Sequence, residues 1–341
     1  MAKRISIKDV AQRAGVSVTT VSHVLNEVPG KRIHQDTRAR VREAAAELGY
    51  RASGVARSLR LQRTQLIAFV SDEIATTPYA GQLILGAQEA ASKRGWLLML
   101  VNTTGDPATE DAEIQALQQR QVDGFLYATM YHREVDVPAL LHDVPTALVD
   151  ARTDAPRFPS VVPDEVQGGR TATQVLLDHG HRRIGFVNNV DDIPATRGRL
   201  EGYRSALADA GITPDEALVV HGESNTAGGL EAARLLLDRE PQPTAIFAFN
   251  DRMAMGVYHA AAERGLRIPE DLSVVGFDNQ ELIADGLRPG LTTVALPHHE
   301  MGAWAVEALI ARIENPDAEA EQVRLRCPLV PRASVAPPRD G

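Results

Sequence analysis

Polar side chains directly follow three apolar runs of the chain, where they could hydrogen-bond a small ligand. Asp150 follows TALV, Asn250 follows AIFAF and Asp278 follows SVVGF. Ligands of open α/β sheets lie beyond the carboxyl ends of the strands, and carboxylates and amides there can hydrogen-bond sugar hydroxyls. Arg197 or Arg199, at the start of a predicted helix, could complete such a site. Each acidic residue alone fits a turn or a helix cap equally well, so their convergence is what predicts a binding site.

Metal binding is the alternative use of two histidine pairs, His179 with His181 and His298 with His299. A zinc site needs three or four protein ligands. No third residue has a suitable spacing, and the single cysteine, Cys327, is remote in sequence. A structural role at a helix end is the favoured interpretation of the first pair, and no metal site is predicted.

The sequence lacks the motifs of common α/β enzymes. It contains no G-x-x-x-x-G-K-[ST] phosphate loop, no G-x-S-x-G nucleophile turn and no G-x-G-x-x-G fingerprint after a strand. Asp251 is interpreted as a helix cap that positions a lobe, not as a ligand contact. The sequence therefore predicts no enzyme activity and no cofactor.

Short polar side chains also lie on one face of a predicted helix near the start of the chain. The run IKDVAQRAGVSVTTVSHVLN reads as two helices, with Ser6 and Ser17 as caps and Gly15 ending the first. Ala11, Gly15 and Val21 would allow the close crossing, tight turn and fixed angle of a helix-turn-helix. The outer face of the second helix then carries Val18, Thr19, Thr20, Ser22 and His23.

Such side chains can contact base edges or phosphates in the major groove, although an ordinary helical hairpin with a solvated face remains the alternative. Two neighbouring segments favour DNA binding. A third helix at about 35–48 has an apolar stripe that would close a three-helix core. In the segment after it, Ala56 and Leu59 share one side between Arg57 and Arg60. This segment fits a helix that forms on DNA and inserts a leucine into the minor groove better than a flexible linker.

Strand-like and helix-like segments alternate through the rest of the chain, which predicts parallel sheets with helices on both faces. The segments 158–163 and 287–294 are interpreted as crossings between two similar lobes, and the Pro-rich tail 331–341 as loose. Apolar runs predict strands at 66–70, 96–101, 124–128, 146–150, 184–188, 244–249 and 273–277. Amphipathic stretches predict helices at 81–94, 108–120, 167–179, 196–210, 227–239 and 252–264.

Charge is distributed unevenly along the 341 residues, whose net charge is −9. Residues 1–60 hold 12 lysines and arginines against 5 acidic residues, a surplus of +7, whereas the rest hold 24 against 40, or −16. This asymmetry predicts a nucleic-acid-binding terminus. A single cysteine, the lack of a membrane-spanning run and the lack of a signal-peptide apolar region predict a cytoplasmic protein without a membrane partner.

Together these segments resemble the LacI/GalR family of transcriptional regulators over nearly the whole chain. The resemblance rests on IKDVAQRAGVS with TVSHVLN, on DTRARVREAAAELGY and on VARSL. It implies base contacts from Val18, Thr19, Thr20 and His23, phosphate contacts from Ser22 and Asn26, and minor-groove contacts from Ala56 and Leu59.

For the body, the resemblance implies two α/β lobes around a cleft, as in periplasmic sugar-binding proteins. An asparagine that the lactose repressor uses after its third strand is replaced by Ala128, so that contact is expected to be absent. Effector contacts are implied at Ser71, Tyr79, Asp150, Arg199, Asn250 and Asp278. The implied domains are a helix-turn-helix domain at 1–50, a hinge at 51–63 and a core at 64–341, with lobe 1 at about 64–161 and 293–322 and lobe 2 at about 162–292 and 323–335.

The combined prediction is a three-helix helix-turn-helix head on a two-lobed, periplasmic-binding-protein-like core with parallel sheets, acting as a homodimeric repressor of sugar-utilisation genes. Its two heads would bind a palindromic operator, and a small-molecule effector, in the first place a sugar or a sugar derivative, would change the operator affinity. Two other functions are the alternatives. A sugar-binding protein without a DNA role would not need the basic head, and a carbohydrate-active or kinase-type enzyme would need a nucleophile, a phosphate loop or a metal.

Overall fold

A computed structural model of the chain describes residues 5–25, 31–50, 63–74, 77, 81–154 and 157–339. Contacts divide the chain into two units, Met1–Gln65 and Leu66–Gly341. Within the described ranges, no helix is long and apolar enough to cross a membrane. The contacts predicted for Asn26, Ala56, Leu59 and Tyr79 lie outside the described residues.

The first unit is a small three-helix domain. Its helices are α1 (Ile7–Ala14), α2 (Val18–Leu25) and α3 (Gln35–Glu47). They share a core of valines and alanines, in which the alanines let the helices approach closely. The buried residues are Val10, Ala11, Ala14, Val21, Val24, Val41, Ala44 and Ala45. This arrangement confirms the predicted helix-turn-helix head.

Local hydrogen bonds set the ends of α1 and α2. The backbone N–H and the hydroxyl of Ser6 both donate to the carboxylate of Asp9, at 2.8 and 2.7 Å. Gly15 ends α1 with a φ of 65°, a left-handed conformation that costs glycine little because it has no Cβ. The hydroxyl of Ser17 accepts the backbone N–H of Thr20 and so caps α2.

The second unit contains two parallel-stranded sheets in the part of the chain that the structure describes. Lobe 1 has the strand order β11-β5-β4-β3-β1-β2, and lobe 2 has the order β12-β10-β9-β8-β6-β7, in which β12 alone is antiparallel. The strands of lobe 1 are β1 (Leu66–Ser71), β2 (Leu97–Asn102), β3 (Gly124–Glu134), β4 (Thr146–Arg152), β5 (Ser160–Pro163) and β11 (Gln322–Leu325). Those of lobe 2 are β6 (Ile184–Asn189), β7 (Val219–Gly222), β8 (Ala245–Ala248), β9 (Ser273–Asp278), β10 (Thr292–Ala295) and β12 (Leu329–Val330).

Helices cover the sheets. Successive residues of β1 alternate between two apolar clusters, since Ile67 and Phe69 pack on one face and Ala68 and Val70 on the other, as strands buried on both sides must. The helices of lobe 1 are α4 (Gly81–Lys93), α5 (Pro107–Gln119) and α11 (His298–Glu314). Those of lobe 2 are α6 (Glu165–Asp178), α7 (Pro194–Asp209), α8 (Thr226–Leu237), α9 (Asp251–Glu263) and the short α10 (Glu281–Ala284).

The chain crosses between the lobes three times, after Pro163, Ala295 and Leu325. The lobe boundaries predicted at about 161, 292 and 322 lie two to three residues before these crossings. The segments predicted as crossings contain β5 and β10. Prolines flank the short apolar stretch of β5, and proline is a poor strand signal because it cannot donate to the ladder.

The C-terminal tail packs against lobe 2, contrary to the sequence prediction that it is loose. Ser334 is completely buried; its hydroxyl donates to the carbonyl of Val274 and accepts the N–H of Thr292. Two residues on, the carbonyl of Ala336 accepts the hydroxyl of Ser273. Because these attachments are hydrogen bonds of serines, a search for apolar periodicity cannot find them.

Candidate functional site

A cavity of about 210 Å³ lies between the two lobes of the core. It is formed at the carboxyl ends of the strands, where parallel sheets place their ligands. Its polar lining consists of His132, Asp150, Glu165, Asn189, Asp191, Arg199, Ser224, Asn250, Arg252, Asp278 and His298, and its larger apolar side chains are Met130, Tyr131, Ile193, Phe249 and Leu296. The structure thus brings together four of the predicted effector residues, Asp150, Arg199, Asn250 and Asp278.

Arg199, on α7, is the buried cation at the centre of the site. Its Nε donates to the carboxylate of Glu165 at 2.8 Å, and its Nη1 donates to the carbonyl of Phe249 at 2.5 Å. The guanidinium carbon lies 3.7 Å from the ring centroid of Phe277 and 4.3 Å from that of Phe249, so cation–π contacts also hold it. Burial alone would lower the pKa of Arg199, but the carboxylates of Glu165 and Asp278 raise it.

Glu165 is a functional residue that the sequence reasoning missed. It begins α6, and its carboxylate lies between Arg199 and the Nδ1 of His132, 3.8 Å away. Burial by itself would raise the pKa of Glu165, yet Arg199 and His132 lower it below its usual value. Acidic residues are common in the first turn of any helix because the helix dipole favours them there, so the sequence alone offered no signal.

A glycine allows the contact between Glu165 and Arg199. Gly169 lies one turn after Glu165 on α6, and an added Cβ there would overlap the backbone of Arg199 on α7. The missing side chain lets the two helices approach closely enough for the ion pair to form. The sequence pair Gly168-Gly169 therefore has a packing role.

Asp150 lies in the buried part of β4 and has a carboxylate that lacks a full set of partners. It has a φ of 56°, a left-handed conformation that Asp and Asn tolerate better than other residues with a side chain. It is 3% exposed, and its Oδ1 has no hydrogen-bond partner in the structure. Burial raises the pKa of Asp150 well above its usual value, and the nearby carboxylate of Glu165 raises it further. A buried oxygen of this kind is satisfied when a ligand donates to it.

Asp278 ends β9 in a similar way. Its φ is 95°, so the backbone turns sharply just where the strand meets the cavity. One carboxylate oxygen lies 3.4 Å from the Nη1 of Arg199, and the other accepts from the side chain of Gln280 at 3.0 Å. Burial raises the pKa of Asp278, although Arg199 opposes the shift.

The cap of α9 is Asn250, whereas the sequence predicted Asp251. Asn250 caps α9, because its Oδ1 accepts the N–H of Met253 at 2.9 Å, while its Nδ2 donates to Ser224. Asp251 is completely buried and accepts the Thr293 hydroxyl and the backbone N–H of Gln280, both at 2.6 Å. Asp251 therefore ties α9 to neighbouring elements of lobe 2, as a positioning residue does, but it is not the cap.

Ser71 does not join the wall of this cavity. It is 1% exposed, and its hydroxyl lies 3.1 Å from the Asp72 carboxylate and accepts the backbone N–H of Ile74. These bonds are local to the end of β1, so the residue shapes the loop instead of facing a ligand.

The extended end of β3 supplies lining residues that the sequence did not predict. The predicted strand stopped at Ala128, but β3 continues to Glu134 with a register shift relative to β4. Met130, Tyr131 and His132 thereby reach the cavity, while Ala128 stays buried inside the strand. The apolar run ends before the strand does, so the apolar pattern gave no sign of this extension.

A wider cavity of about 490 Å³ adjoins the first. It shares Arg252, Asp278, Leu296 and His298 with the first cavity and is otherwise bounded largely by α10 and the start of α4. Asp150, Glu165 and Arg199, which could fix a ligand's orientation, line the smaller cavity and not the wider one.

His179 and His181 hydrogen-bond within the protein. The ring nitrogens of His181 lie 2.9 Å from the Thr244 hydroxyl and 2.9 Å from the Ala336 carbonyl, and the Nδ1 of His179 lies 2.7 Å from the carbonyl of Val175. Among the residues described, no three histidine, cysteine or acidic side chains lie close enough together to hold a metal ion.

The head presents the predicted DNA-contacting side chains on α2. Val18 and Thr19 are exposed, and Thr20, Ser22 and His23 are partly exposed, while Val21 and Val24 are buried in the core. An exposed valine on a helix can contact the methyl group of thymine, and the hydroxyls can hydrogen-bond bases or phosphates.

Comparison with known protein families finds two matches. Residues 6–53 match the family model described as bacterial regulatory proteins, lacI family. Residues 173–335 match the model described as a periplasmic binding protein-like domain.

Two curated relatives and one solved structure illustrate the similarity. The ribose operon repressor of Escherichia coli strain K12 is 36% identical, and the alignment covers 97% of this chain and 99% of that protein. The HTH-type transcriptional repressor PurR of Photobacterium profundum is 34% identical, with coverage of 97% and 98%. The crystal structure of the lac repressor dimer bound to operator and the anti-inducer ONPF is 26% identical, covers 98% of this chain and 100% of that one, and has a TM-score of 0.77.

Proposed function

Because the chain belongs to the LacI family of regulatory proteins, it is a ligand-responsive DNA-binding repressor and not an enzyme, and we propose that its effector is a sugar bound between the two lobes. The observation that carries this proposal is the convergence of Asp150, Arg199, Asn250 and Asp278 on one buried cavity. Side chains from four elements of two lobes can contact several hydroxyls of one ligand at once.

The size of the cavity favours a monosaccharide. The cavity that contains Asp150, Glu165 and Arg199 has a volume of about 210 Å³, below the roughly 300–1,000 Å³ of pockets for drug-sized ligands, and the adjoining cavity of about 490 Å³ lacks these three side chains. The oxygen of Asp150 without a partner needs a donor, and a hydroxyl supplies one.

A purine is the second candidate, since the LacI/GalR family includes purine repressors and one relative is named HTH-type transcriptional repressor PurR. A flat base would gain most from an open aromatic face. The guanidinium of Arg199 already covers a face of Phe249 and of Phe277. This occupied stacking position favours a polyhydroxylated ligand over a base.

In the proposed mechanism, two copies of the chain form a dimer whose two heads bind the halves of a palindromic operator in the cytoplasm. Val18, Thr19, Thr20 and His23 would contact bases, and Ser22 and Asn26 would contact phosphates. Ala56 and Leu59 would enter the minor groove from a hinge that orders on DNA. Ligand binding would favour one arrangement of the lobes and so bias the hinge, which couples the two sites.

A ligand screen followed by DNA titration tests this function. Thermal unfolding of the full-length protein is measured with monosaccharides and with purines, since a ligand that binds the native state raises the melting temperature. Operator sequences are selected from random DNA, and affinity is measured with and without each hit. We expect a monosaccharide to raise Tm and to change operator affinity. Stabilisation by purines alone would contradict the sugar assignment.

A further inference from the structure

Glu165 occupies the position at which an anionic ligand would otherwise meet a cation. The Nε of Arg199 donates to its carboxylate at 2.8 Å, and both side chains are 4% exposed. The Nη1 of Arg199 is bonded to the carbonyl of Phe249 and faces Asp278. Two of the three nitrogens of the guanidinium, Nε and Nη1, thus already have acceptors that belong to the protein.

The described lining of the cavity carries more carboxylates than arginines, beside two histidines, His132 and His298. Asp150, Glu165, Asp191 and Asp278 are four acidic residues, whereas Arg199 and Arg252 are two arginines. Glu165 and Asp278 lie 2.8 and 3.4 Å from Arg199, and Asp150 lines the same cavity. An anion entering this cavity would lose its hydration and meet this surplus of negative charge.

On the basis of the proposed sugar function, we propose that Glu165 determines ligand specificity, so that the cleft accepts uncharged sugars and rejects sugar phosphates and uronates. Glu165 pairs with the guanidinium of Arg199, which would otherwise pair with the phosphate or carboxylate of a ligand. It also adds a negative charge beside Asp150. Uncharged hydroxyls can still donate to these carboxylates without displacing the ion pair. Glu165 therefore sets the charge of the ligand, whereas the strand-end residues read its hydroxyls.

The test compares matched ligands on matched variants. The pairs are D-ribose with D-ribose 5-phosphate, D-glucose with D-glucose 6-phosphate, and D-glucose with D-glucuronate. Binding is measured by calorimetry and by thermal shift on full-length wild-type protein and on Glu165→Gln. We expect an uncharged member to bind the wild type at least about tenfold more tightly than its anionic partner, since a like-charge contact is costly at a desolvated site. In Glu165→Gln this ratio falls at least about tenfold, because Arg199 is released to pair with the anion.

Two controls separate charge selection from a structural effect. Glu216→Gln removes the same charge from an exposed ion pair with Arg204 and leaves the ratio unchanged. Glu165→Asp keeps the charge on a shorter side chain, so it retains the preference for the uncharged ligand even if both ligands bind more weakly. A purely structural role of Glu165 would weaken both ligands together in Glu165→Gln and leave their ratio as it was.

The possible outcomes distinguish this inference from the proposed function. Equal binding of both members of a pair to the wild type overturns the role of Glu165 and leaves the sugar assignment standing, as does an unchanged ratio in Glu165→Gln. Binding of no sugar, charged or uncharged, by any variant overturns the sugar assignment and this inference with it, while selection of operator DNA by the same preparations still reports on the repressor function.

Discussion

Asp150 shows how a binding site can be kept at a cost to stability. Its buried carboxylate has an oxygen without a partner and lies in a left-handed backbone conformation. The isosteric change Asp150→Asn removes the charge, and asparagine tolerates this conformation. We expect the ligand-free variant to be more stable by roughly 1 kcal/mol or more, a Tm gain of at least about 2 °C, and to lose its response to sugar. Calorimetry and thermal unfolding measure both effects, with Asp136→Asn, on the exposed surface of the same lobe, as the control. A variant that is less stable yet binds sugar normally would contradict the role given to Asp150.

The same carboxylate predicts a pH dependence of stability. Because burial and Glu165 raise the pKa of Asp150 above the ordinary aspartate value of 3.8, the native state binds more protons than the unfolded state between that value and the raised pKa. The unfolding free energy of the wild type therefore falls as pH rises through this window. The stability gain of Asp150→Asn should be small near pH 4 and grow with pH until it levels off. Chemical denaturation of both proteins from pH 4 to pH 8 tests this, and a gain that is constant with pH would show that the carboxyl keeps its ordinary pKa.

Some residues of the site could be predicted from the sequence, and others could not. Asp150, Asn250 and Asp278 could be predicted because apolar runs mark their strands and a general rule marks the strand ends. Glu165 and His132 could not, because one begins a helix where any acid is common and the other lies on a strand extension without an apolar run. Ser71 is absent from the described lining of the cavity, since position after a strand does not fix where a short hydroxyl finds its partners.

The close contact of α6 with α7 brings together the charged side chains at the centre of the cavity. An added methyl group at Gly169 would overlap the backbone of Arg199, so Gly169→Ala must displace α7. We expect a loss of about 1–3 kcal/mol of stability and weaker sugar binding, because Arg199 moves away from Glu165 and Asp278. Gly81→Ala, where an added Cβ meets nothing within 4 Å, serves as the stability control. Equal melting temperatures for the two variants would mean that the helices can separate at little cost.

The hinge predicted at 51–63 lies mostly outside the described residues, and its role rests on the family resemblance. If Leu59 enters the minor groove, Leu59→Ala should weaken binding to the selected operator at least about tenfold while leaving sugar binding unchanged. Non-specific DNA binding should persist, because the contacts to phosphates remain. Leu59→Met keeps the apolar bulk and should retain most of the affinity. Gel-shift titration and calorimetry on the same preparations give the two affinities, and a parallel loss of both would refute the hinge assignment.

Element prediction succeeded where apolar periodicity was long and failed where elements were short or held by polar groups. The predicted strands at 66–70, 184–188 and 273–277 match β1, β6 and β9 to within a residue. By contrast, β5 and β10 have four residues each and were interpreted as crossings, and the tail around Ser334 is attached by hydroxyl groups.

In a repressor controlled by a ligand, the effects of the ligand site and the DNA site on each other must be reciprocal. If the sugar changes operator affinity by some factor, the operator must change sugar affinity by the same factor, typically about 5- to 150-fold in allosteric proteins. We therefore expect sugar titrations with and without saturating operator to give the same ratio as operator titrations with and without saturating sugar. Asp150→Asn should reduce the operator ratio to one while retaining operator binding, because its cleft no longer distinguishes the two arrangements of the lobes. Unequal ratios in the wild type would mean that sugar does not act through one shared equilibrium alone, for example because it also changes the association of subunits. Repeating both titrations over a range of protein concentrations would then reveal a dependence of the ratios on protein concentration.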